Sequence, residues 1–153
     1  MHRRVALALV TTAAIGASAL ALSGCGDRRR LPKACTDGPR AVAVALRQAP
    51  RAVALYDGTR LSACVSRARY QGELQGVGLS LNSAGAALAR GVPHSDAAAL
   101  QLGYLIGAVR RGAGESNGLA GELAHRIAQY GARPPPARRS ALARGISLGA
   151  AAE

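Results

Sequence analysis

Few residues of this chain combine side-chain type and spacing in a way that could do chemistry. Gly114-Glu115-Ser116-Asn117-Gly118 fits G-x-S-x-G, the pattern that presents a serine nucleophile at a sharp turn between a strand and a helix. Glu122 and His125 are three apart and share a helix face, the E-x-x-H spacing that ligates iron in di-metal helical bundles. His94 and Asp96 are the other residues of that cluster with ligand chemistry. The thiols are Cys25, Cys35 and Cys64, open to acylation, disulfide formation or metal binding.

Context weakens the catalytic readings. The serine pattern needs a preceding strand and a downstream acid followed by a histidine. Here a helical pattern precedes Ser116, and Glu122 and His125 both fall on the next helical segment of a chain too short for a hydrolase sheet. The di-iron reading needs inward carboxylates from four helices, and the whole chain has 8 acids. The expectation is therefore no enzyme, cofactor or metal: Asp96, Glu122 and His125 lie on an exposed polar face, and His94 lies in a turn.

Cys25 is different because of what leads up to it. Met1-His2-Arg3-Arg4 is a short basic start, and residues 5–22 carry no charge and no proline. That is the layout of a secretory signal peptide, although a run of about 18 uncharged residues also reaches the lower limit for spanning a bilayer. The ending, Leu22-Ser23-Gly24-Cys25, arbitrates. It resembles the lipobox of bacterial lipoproteins, in which a branched apolar residue and two small residues precede a cysteine. The resemblance covers residues 1–25 and implies that the Cys25 thiol is acylated with diacylglycerol and that the peptide is cut just before it. The new amino terminus can be acylated as well, and two or more chains make a stable anchor. The alternative is an uncut signal anchor in which Cys25 is an ordinary small residue. On the lipoprotein reading the protein sits on the extracytoplasmic face of the cell membrane.

Charge bears on partners. The chain has 20 Lys and Arg against 8 Asp and Glu, and losing Arg3 and Arg4 with the signal leaves 18 against 8, a net +10. Such a surface favours anionic lipid or wall polymer, and Arg28, Arg29, Arg30 and Lys33 would stand beside the anchor, where they either attract the membrane or merely keep a spacer solvated. Nucleic acid is a poor fit, because the chain is exported and Tyr56, Tyr70, Tyr104 and Tyr130 are scattered without any Trp or Phe. An envelope protein partner stays open.

With Cys25 lipidated, Cys35 and Cys64 form an even pair outside the cytosol, which reads as a disulfide. Zinc is the weaker alternative, because the pair lacks C-x-x-C spacing and a nearby histidine.

Elements that must position these residues are mostly helical. Pro39 opens a short helix that stops before Pro50. Val53 and Leu55 alternate before Asp57-Gly58, a small hairpin or an extended connector, and Ser62 is a candidate cap for a helix carrying Cys64. Leu74, Val77, Leu81, Ala84 and Leu88 predict a helix over 73–90. Ser95 caps the next helix, whose centre from Leu100 to Val109 is apolar nearly all round. Gly103 and Gly107 give that helix a smooth strip for close packing, and Asn117 is the candidate cap of a helix striped by Leu119, Leu123, Ile127 and Tyr130. The expected fold is all-α, a small antiparallel helical bundle with one disulfide. Residues 1–24 would be signal peptide, 25–34 a flexible basic tether, 35–131 the helical domain and 132–153 a proline-rich linker with a weakly structured tail.

Overall fold

Leu102 to Val109 are buried without interruption, so the helix that carries them must be covered on every side. The computed structural model describes residues 30–152, and Cys25 lies outside them. The helices are α1 (Pro39–Leu46), α2 (Leu61–Arg67), α3 (Gln71–Gly91), α4 (Asp96–Ala113), α5 (Leu119–Gln129) and α6 (Arg139–Ala152). Short 3-10 turns cover Lys33–Thr36, Val92–His94 and Pro136–Arg138, and no strand occurs among the described residues. The protein is all-α, as its periodicity predicts.

The central helix is α4, and α2, α3, α5 and α6 all pack against it. Ser95 Oγ accepts from the Ala98 N–H at 3.2 Å and caps it as expected. Gly91 faces Ala98 and Gly85 faces Leu105, so α3 and α4 run antiparallel; Gly78 faces Leu123 and Gly85 faces Tyr130, so α3 and α5 run parallel.

The most extensive pairing joins α4 to α6, in parallel. A Cβ at Gly103 would strike the Leu142 carbonyl oxygen, and one at Gly107 the Ile146 carbonyl oxygen. Reciprocally, a Cβ at Gly145 would strike the Leu100 oxygen and one at Gly149 the Tyr104 oxygen. Glycine Cα–H groups thus point at carbonyls across the interface, a contact worth about 0.5–1 kcal/mol each. Of the weak helix or loose tail that the sequence leaves open after the prolines, the structure shows a helix. Its apolar signal is weak because α6 packs by absence of side chain rather than by size.

Other boundaries shift for physical reasons. Glu73 reaches back to accept from the N–H groups of Arg69 and Tyr70 at 2.9 and 3.4 Å, so α3 begins ahead of it. Ser62 does not cap α2; it is buried within the first turn, where Gly112 of α4 comes so close that a Cβ there would meet the Ser62 carbonyl oxygen. Asn117 does not cap α5, which starts after Gly118 without a side-chain cap. The tether expected through residue 34 ends sooner, because Leu31 already packs on the core.

Residues 47–60 form the extended connector rather than a hairpin. Val53 and Leu55 are buried, and their neighbourhood satisfies its backbone through side chains: the Val53 N–H donates to Tyr104 Oη at 3.1 Å, and Gln48 Nε2 donates to the Ala54 carbonyl at 2.8 Å. Cys35 and Cys64 are disulfide-bonded, with Cα atoms 5.4 Å apart and a sequence separation of 29.

Gly107→Val should lower stability by about 3 kcal/mol or more, since backbone on the facing helix cannot yield. Gly76→Ala, which meets open space, should raise it by up to about 1 kcal/mol. Urea titration of both variants reads the contrast, and equal effects would show that α4 and α6 do not meet at these glycines. Replacing Cys35 and Cys64 by alanine should cost about 2–5 kcal/mol in the same titration.

Candidate functional site

The residues with catalytic or ligand potential do not converge on one site. Ser116 Oγ accepts from the Gly118 N–H at 3.1 Å, closing the turn ahead of α5, and the Ser116 carbonyl lies where a Cβ of Gly121 would be. Glu122 pairs with Arg126 at 3.3 Å, and His125 Nε2 lies 2.9 Å from Gln129 Nε2, both along the exposed face of α5. Asp96 pairs with Arg138 at 2.9 Å, tying the proline-rich turn to the start of α4, while His94 is exposed in its 3-10 turn. Among the described residues no three His, Cys, Asp or Glu side chains gather as a metal site, and no helix is long and apolar enough to cross a membrane.

Among the described residues, two of the recesses carry largely uncovered apolar side chains. The first lies between the parallel helices α3 and α5 and measures about 370 Å³. Leu74, Gly78 and Leu123 line it, because the bare Gly78 leaves room for the Leu123 side chain. Leu79 and Leu119 stand on it largely uncovered, 69 % and 55 % exposed, with Gln71, Gln75, Asn82, Glu122 and Arg126 supplying polar groups. Leu119 was expected in the core stripe of its helix; α5 begins there, and the stripe enters the core only at Leu123.

The second recess, about 620 Å³, lies between α1 and the connector. Val44 and Tyr56, 52 % and 72 % exposed, line it together with Arg40 and Asp37. The turn beneath Tyr56 is held by hydrogen bonds. Gly58 adopts φ 80°, Gly58 N–H donates to the Leu55 carbonyl at 2.9 Å, and Asp57 Oδ1 accepts from the Thr59 N–H at 2.9 Å. Desolvation works against the Asp57 carboxylate, but interactions with Thr59 and with nearby backbone N–H groups outweigh it and hold its pKa below the ordinary value. Desolvation, then the hydrogen bond to Asp37 and the charges of Asp37 and Asp57, push the Tyr56 phenol above its ordinary value.

Compared with known proteins, the chain matches no family model, no curated protein and no solved structure. Its candidate surfaces therefore stand on geometry. Neither recess was foreseen from the sequence. The available signal was an apolar residue off the core stripe: Leu79 falls between Val77 and Leu81, and Val44 sits two positions from Val42 and Leu46.

Leu79→Ser and Leu119→Ser should each change stability by less than about 0.5 kcal/mol, whereas Ile127→Ala, beneath the same helix, should cost about 2–5 kcal/mol. Thermal unfolding of the three variants checks this. The Asp57 carboxyl should titrate by NMR below the ordinary 3.8. Because its folded pKa is depressed, its contribution to stability is present above the unfolded pKa and is lost as the pH falls through the lowered one.

Proposed function

We propose that this chain is a lipid-anchored protein of the bacterial cell envelope, held at Cys25 on the extracytoplasmic face of the membrane, where it serves as a non-catalytic binding or structural module. The observation that carries the reading is Leu22-Ser23-Gly24-Cys25 at the end of a basic start and an uncharged run. The Cys35–Cys64 disulfide supports it, because such bonds persist in oxidising compartments. The groove between α3 and α5, with Leu79 and Leu119 uncovered, supports a contact role.

A second reading, a basic binder of anionic envelope polymer or lipid, is favoured by the net charge of +12 for the whole chain. Hydrolysis at Ser116 is the least favoured, since Ser116, Glu122 and His125 each bond to other partners. Turnover abolished by Ser116→Ala would reverse that order.

The intact mass of protein extracted from membranes tests the anchor. The expected result is a chain that begins at an acylated Cys25 and takes up two alkyl groups only after reduction. A full-length chain with three reactive thiols would overturn the reading.

A further inference from the structure

We infer that the face formed by α1 and the connector after it lies against the anionic lipid surface that holds the anchor. The inference rests on the lipid-anchor reading. It adds which side of the domain meets the membrane and through which residues.

Reach sets the geometry. Arg30 follows Cys25 by five residues, which span at most about 18 Å even when fully extended. The chain is fastened immediately afterwards, by Leu31 packing on the core and by the Cys35–Cys64 bond. The surface around residues 30–37 is thus the part of the domain that cannot move far from the bilayer.

That surface is continuous with the α1 recess. Asp37, at the end of the first 3-10 turn, lines that recess together with Arg40, Val44 and Tyr56, so the connector turn stands beside the root of the tether. Arg40 and Val44 are four apart on α1, Arg47 caps its C-terminal end in a helical conformation, and all three are exposed. Lys33 and Arg51 are exposed nearby in sequence, and none of these cations forms an ion pair among the described residues. Of the acids on this face, Asp57 accepts from the Thr59 N–H within its own turn, and Asp37 lines the recess with Arg40.

The chemistry is that of a membrane interface. A tyrosine with its ring uncovered and a polar hydroxyl at its tip suits the headgroup level. Arginines lay their stems along apolar neighbours while the guanidinium groups meet phosphate. Val44 and Tyr56 supply the apolar part and Arg40 and Arg47 the charge.

The test uses the acylated full-length mature protein reconstituted in vesicles, with hydroxyl-radical footprinting read by mass spectrometry. Tyr70 is the internal reference, 73 % exposed against 72 % for Tyr56 and outside the recess. On vesicles rich in phosphatidylglycerol, oxidation of Tyr56 relative to Tyr70 should fall about fivefold compared with phosphatidylcholine vesicles, a comparison that needs no variant. Arg40→Glu with Arg47→Glu should abolish that difference. An acylated protein whose Tyr56 to Tyr70 ratio is the same on both vesicles would overturn the orientation alone. A chain without acyl mass would overturn the anchor, and the inference with it.

Discussion

The fold depends on two helices approaching until their backbones touch. Along α4 and α6, Gly103 faces Gly145 and Gly107 faces Gly149, and each position where a Cβ would stand is taken by a carbonyl oxygen of the partner. The chain has 19 glycines and no Trp or Phe, so it cannot fill a core with large rings. Close approach is the remaining route to native packing density, since dispersion falls away quickly across even a small gap. Around that seam the larger side chains do ordinary work: Leu102, Leu105, Ile106 and Val109 fill the other sides of α4, and Tyr104 carries a hydroxyl inward to meet the connector backbone.

Helical periodicity carries most of the architecture. The stripe through Leu74, Val77, Leu81, Ala84 and Leu88 marks α3, the all-apolar centre marks α4, and the pair of thiols left once Cys25 is set aside anticipates the bond between α2 and the first 3-10 turn. What periodicity conceals is packing by small residues. Gly103 and Gly107 are legible as a smooth strip, but their counterpart, Gly145 and Gly149, has the same four-residue spacing in a segment whose alanines and arginines resemble a tail. Caps are similarly ambiguous. Ser62 and Asn117 have the chemistry of capping residues, yet Ser62 is drawn inside by the close approach of Gly112, and α5 starts without a side-chain cap.

The candidate surfaces illustrate a related limit. A motif such as G-x-S-x-G is visible in one dimension, but its chemistry requires three partners to converge, and here Ser116 closes a turn while Glu122 and His125 engage neighbours on their own helix. Recesses are the reverse case. Leu79 beside Leu119, and Val44 beside Tyr56, come from segments distant in sequence and become neighbours only when the helices are placed.

The parallel seam also sets the order in which the molecule can be completed. Because α4 is closed by the last helix rather than by its sequence neighbour alone, the carbonyls of Leu100 and Tyr104 wait for residues 145 and 149 before they are covered. A chain emerging from its amino end therefore carries α4 uncovered on that side until residues 139–152 have followed it. Consolidation of the domain waits on its last described helix, however well its earlier helices are formed.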